Sequence, residues 1–165
     1  MTNEIQTVRI GLAIILIGLF LGVGMGISFG INEDAYKDFV AEGIAAHPTI
    51  HDENSQSKIW RYAQRAHFHS NGISAFSLGL VILVMFSAMK ARMKAITAIL
   101  IGLGSLYPLA WFSMFFLAPS IGRDPAHEHI LTKMFTFVGV GGLLLGSILL
   151  IVSLFFSGSQ GEAKV

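Results

Sequence analysis

Two His-x-His motifs, His67-Phe68-His69 and His127-Glu128-His129, contain four of the six histidines in this chain. Each stands at the start of a long apolar stretch. A neutral imidazole can ligate a metal or a haem iron, and placing one at the edge of a membrane is costly without such a use. On a helix Gln64, His67, Asn71 and Ser74 follow spacings of three, four and three, so they share one face. His69 is rotated by roughly 200° from His67, so the two cannot both face one small ion from a regular helix. His67 is the better ligand, because its face continues as polar residues into the apolar stretch. His69 is left as a group behind the ligand, a ligand for a neighbouring copy, or an interfacial residue.

Arg61 and Arg65 lie one helical turn apart and need an anionic partner. Lipid phosphates would serve, and so would haem propionates, whose paired oxygens suit guanidinium. His127 or His129 could supply a second axial ligand opposite the histidine of the second span. Alternatively both motifs, with Glu128, hold zinc or copper. The plainer reading is histidines at a helix end, bonded to water and headgroups. Tyr107 and Trp111 are one turn apart and could line a pocket, although aromatic packing explains them too. Pro108 between them should kink its helix or free a carbonyl.

The elements that carry these residues follow from composition. Only 13% of the residues are charged and 53% are hydrophobic, and the mean hydropathy is +0.67. A soluble domain is about a quarter charged, so lipid is the solvent implied here. Four windows reach the roughly 20 apolar residues that cross a bilayer: about 10–31, 66–89, 95–118 and 130–156. One all-α transmembrane domain over 1–165 is expected, a four-helix bundle with an outer segment at 32–58. The first window is too long for a signal peptide and lacks a clear cleavage site, so it reads as retained. The absence of cysteine removes thiolate sites, disulfides and covalent haem attachment. A net charge of +1 gives no sign of a nucleic-acid partner.

The turn Met89–Lys94 is short and purely basic, which places it and both termini in the cytoplasm. The acidic segment 32–58 and all six histidines then gather at the outer face. In that segment Asn32 can cap a helix whose Tyr36, Phe39, Val40, Gly43 and Ile44 share a face. An amphipathic helix lying on the membrane and ending near His47-Pro48 is expected, either as a lid or as a plain interfacial element. Gly18, Gly22, Gly26 and Gly30 form a small-residue stripe on the first span, open to another helix or to a flat ligand, and Gly139, Gly142 and Gly146 repeat the theme on the fourth. Asp124 with Pro125 reads as the start of the fourth helix, with the second His-x-His motif in its first turn. The tail from Ser157 is polar and reads as disordered.

Trp60, the run Arg65-Ala66-His67, Asn71-Gly72 and the aromatic third span together resemble styrene oxide isomerase, a small four-span bacterial membrane enzyme. The resemblance implies an inner-membrane homo-oligomer, a trimer in that family. It implies haem b held by the histidine of the Arg-Ala-His motif, here His67. Arg61 and Arg65 are then read as contacts of its propionates, while His69 and the His127-Glu128-His129 cluster are additions to the family's pattern that could cap the iron, His129 among them. The resemblance also implies a ferric iron acting as a Lewis acid that opens a small apolar epoxide to a carbonyl. Asn71 and Tyr107 are then the candidate catalytic pair. The family's own asparagine falls further along the helix, and its tyrosine aligns near Trp111. The competing function is electron transfer through a bis-histidine haem that joins helices two and four, with a quinone or periplasmic carrier as redox partner. A third is a non-haem metal-binding subunit of a membrane complex.

Overall fold

The computed structural model describes residues 2–156, and within them the chain is helical with no strand. The polar tail lies outside the described residues. The helices are α1 (Thr2–Ala46), α2 (Ser55–Phe86), α3 (Ala91–Leu103), α4 (Tyr107–Ile121), α5 (Arg123–Glu128) and α6 (Ile130–Phe156). Four helical stretches are long and apolar enough to cross a membrane: α1, α2, α3 with α4, and α6. The chain is thus an all-α helical bundle with four candidate membrane spans, one end marked by the histidines and the other by the basic turn.

Small residues line much of the helix contacts, with Ala63, Ala66, Ser70, Ser74 and Ser77 all fully buried on α2, beside buried apolar side chains such as Ile15, Ile101 and Phe115. Other large apolar side chains face outward, Phe20 at 71% exposure and Phe137 at 73%. Lipid tails are as apolar as leucine, so helices in a bilayer associate through close backbone contact instead. The glycine stripe does this. A Cβ on Gly18 would lie 2.6 Å from Ser105 Cβ, and one on Gly22 would lie 2.4 Å from Asn71 Oδ1. Ser70 Oγ donates to the Gly18 carbonyl at 2.6 Å across the same contact. Gly139, Gly142 and Gly146 likewise seat α6 on α3 and α4. Both stripes therefore pack helices together, and only Gly30 opens on free space.

The outer segment departs from expectation. Asn32 breaks α1 with φ −153° and ψ 70°, and its Oδ1 accepts from Ala35 N at 3.1 Å, so it does cap the helix that follows. That helix ends at Ala46. It stands on the bundle rather than lying apart as a surface lid: Val40 is fully buried in a cluster with Ile59, Ala63, Phe115 and Ala118. The reason is length. At 32 residues α2 spans about 48 Å against roughly 30 Å of hydrocarbon. Its protruding end offers an apolar wall for the outer part of α1.

The start of the fourth span also differs. Gly122, with φ +86°, ends α4 and occupies the cap position of α5, so Asp124 lies inside the first turn. Only glycine adopts that backbone without strain. His129, with φ −62° and ψ 142°, then breaks the chain before α6. In α3–α4 a 3-10 turn at Gly104–Leu106 comes before Pro108, which sits in the first turn of α4, where its missing N–H costs nothing.

Candidate functional site

His67 lies in the contact between α1 and α2, against Gly22 and Gly26. Its Nδ1 is 2.8 Å from the Gly22 carbonyl oxygen. A carbonyl only accepts, so Nδ1 carries the proton and a neutral ring keeps its lone pair on Nε2. Gly26 makes room for the ring, since a Cβ there would sit 2.6 Å from Cε1. Phe29 stands edge-on at 5.9 Å between centroids, and Phe68 is at 5.2 Å. Together with Trp60, Gln64 and Glu33 these residues line a groove of about 190 Å³ on the outside of the α1–α2 pair. Asn71 packs beneath, its Nδ2 at 3.4 Å from His67 Nδ1. Both atoms are donors, so this is a packing contact and the Gly22 bond fixes the ring. Asn71 Oδ1 is buried with no partner among the described residues.

One ring nitrogen is tied to a backbone carbonyl and the other makes no hydrogen bond among the described residues, the orientation a metal-ligating histidine takes. Gln64 joins His67 in the groove wall, as their shared face predicts, whereas Glu33 was not foreseen there. Glu33 pairs with Lys37 at 2.9 Å, and its placement follows from the Asn32 break, which the sequence did signal.

The other expected residues collect elsewhere. His69 faces α4, with ring centroids 5.4 Å from Tyr107 and 5.7 Å from Trp111. Its Nδ1 donates to the Arg65 carbonyl oxygen at 2.8 Å. The Arg65 guanidinium lies 4.7 Å above the Trp111 ring. Arg65 and His69 thus belong to the face of α2 turned away from His67, as their spacing demands. Arg61, also exposed, lies one turn above Arg65 on that side. The structure gives His67 its own groove and gathers His69, Arg65 and Tyr107 into a second place.

The second His-x-His motif has local uses. His129 Nδ1 accepts from Leu131 N at 3.3 Å, which makes the side chain a cap for α6. Its proton then resides on Nε2. His127 is 69% exposed and lies 3.4 Å from Glu128, whose other oxygen meets Lys133. The Lys133 hydrogen bond first, and then the one from His127, hold the Glu128 carboxyl below its ordinary value. Among the described residues no three of His, Asp and Glu come close enough to hold a metal ion together. His51 Nε2 donates to the Pro119 carbonyl at 2.9 Å, and His47 Nδ1 to that of Gly43 at 3.1 Å.

No protein family, curated protein or solved structure matches the chain.

Proposed function

We propose that this chain is a haem b protein of the bacterial inner membrane, with His67 as the axial ligand, that isomerises a small apolar epoxide to a carbonyl compound. The observation that carries the reading is the His67 ring, oriented by the Gly22 carbonyl so that Nε2 is the free nitrogen beside an aromatic-walled groove. When bound, ferric haem supplies a Lewis acid for the epoxide oxygen. The chain's own part is to hold the ring in place with Nε2 unprotonated through the Gly22 bond, in the space that Gly26 leaves for it. Phe29, Trp60 and Phe68 keep water away, so that the epoxide rearranges rather than hydrolysing to a diol. Asn71 supports the ring from below. Tyr107, on the other side of α2, is not positioned to help within one chain.

The groove is open along one side, and a haem in it needs a second wall. A second copy, in the trimer that the resemblance implies, is the partner this reading adopts; it would bring the opposite face, with Arg61 and Arg65, toward the propionates. The reading keeps the basic turn and both termini in the cytoplasm and the histidine end outside.

Because His127 and His129 have these local contacts, a haem would be held by His67 without a second histidine, which favours the isomerase over the bis-histidine electron carrier. The test is the optical spectrum of protein purified after growth with ample haem. A Soret band lost in His67→Ala and kept in His129→Asn, with an aromatic epoxide converted to its aldehyde, is the expected result. No Soret band ends the haem reading. A low-spin bis-histidine spectrum lost in either His127→Ala or His129→Ala replaces the isomerase with the electron carrier.

A further inference from the structure

A second cavity, independent of the His67 groove, lies between α4 and α6 at the histidine end. Its volume is about 300 Å³, at the lower end of small-molecule sites. Its walls come from two runs at helical spacing, Tyr107, Trp111 and Met114 on α4 and Thr132, Thr136 and Phe137 on α6. The fold builds this space. Below it the helices touch at Gly139, where an added Cβ would be 2.6 Å from Tyr107 N. Above it the Gly122 and His129 breaks turn α5 across the top, and Thr132 Oγ1 fastens that roof by donating to the Ala126 carbonyl at 2.8 Å. Between floor and roof α4 and α6 stand apart.

The hydroxyls of Thr132 and Thr136 are spent on the Ala126 and Thr132 carbonyls and the Glu128 carboxylate meets Lys133, which leaves Tyr107 and the rest of Lys133 as the donors without a protein acceptor. The Tyr107 hydroxyl, on the wall of the cleft, makes no hydrogen bond among the described residues. Lys133 at the rim uses one of its three N–H groups on Glu128 and has two to spare. Arg65 already covers one face of Trp111. The space therefore asks for a flat apolar ring bearing oxygen acceptors, one toward the Tyr107–Trp111 wall and one toward the Lys133 rim. It is too small for a long tail, which would leave through the gap toward lipid.

The geometry points to a quinone-headgroup site in the α4–α6 cleft, with Tyr107 and Lys133 as donors to its two carbonyl oxygens. Binding alone is assigned, with no electron transfer. The site does not rest on haem at His67.

The experiment titrates a short-chain benzoquinone into the full chain carrying Trp60→Phe, in which Trp111 is the remaining tryptophan. Quinones quench indole emission on contact. The expected result is saturable quenching, unchanged when His67→Ala is added. Tyr107→Phe and Lys133→Met should each raise the apparent Kd about tenfold, the loss of one hydrogen bond in an apolar site. Thr136→Phe, which fills the cleft and removes neither donor, should abolish saturation while the thermal unfolding midpoint is kept. Benzaldehyde, with one carbonyl, should bind at least tenfold more weakly. Quenching that rises linearly and equally in all variants is partition into detergent, and it overturns the site. Equal affinity for benzaldehyde overturns the quinone assignment.

Discussion

At the scale of residues, the two His-x-His motifs are alike on paper and have different work to do. His67 has an interhelical carbonyl on one nitrogen and a groove beside the other. His129 spends its Nδ1 on a helix cap. His129→Ala should cost about 1 kcal/mol of stability, as other cap losses do, whereas His129→Asn should restore it; thermal unfolding in detergent checks both. Gly26 offers a sharper test of the ligand. In Gly26→Ala the new methyl meets His67 Cε1 at 2.6 Å, so the ring must turn and give up the Gly22 carbonyl. Haem per chain should fall about tenfold although every histidine remains, while Gly30→Ala, with nothing within 4 Å, should be silent. Equal haem content in the two variants would remove His67 from the site. The spacing of Gln64, His67, Asn71 and Ser74 made this face legible in advance. The capping role of His129 was hidden, because it depends on a backbone break set by Gly122 and Thr132 rather than on its neighbours in sequence.

Elements meet at the histidine end through one carboxylate. Asp52, in the short connection between α1 and α2, accepts from Ser55 Oγ at 2.8 Å and from Arg123 of α5 at 3.0 Å, with Lys58 at 3.3 Å. The Ser55 hydrogen bond first, and then the two cations, hold the Asp52 carboxyl below its ordinary value. A depressed carboxylate adds stability above its ordinary value near 4 and loses it as pH falls through the lower folded value. Asp52 is half exposed, so the effect is local. Protease cleavage in the connection should be slow from about pH 5 upward and quicken below about pH 4, with an acid-stable protease as the probe. Asp52→Asn should cleave quickly at every pH, and a pH-independent wild type would refute the latch. Four spans, the Asn32 cap and the end of the outer helix near His47 were readable from hydropathy and turn chemistry. That the outer helix stands against α2 was not, since it depends on how far α2 outruns the bilayer.

For the whole molecule, the opposite end is tied by Lys94. Its side chain is 9% exposed, and its Nζ donates to Glu4 Oε2 at 2.8 Å and to the Met85 carbonyl at 2.7 Å, joining α1, α2 and α3. Lys94→Met leaves that carbonyl and a half-exposed carboxylate unpaired, and should cost about 1–3 kcal/mol in unfolding experiments. Single cysteines, introduced into a chain that has none, should be labelled at Arg92 from the cytoplasmic side and at Glu53 from the other. The reverse pattern would invert the proposed topology. α6 contacts the rest almost wholly through α3 and α4, scarcely meeting α2. During synthesis the first three spans therefore have nearly all their mutual contacts before the fourth leaves the ribosome. The fourth arrives as a late addition to a finished surface, and co-expressed fragments divided after Ile121 should find each other in the membrane and restore the whole.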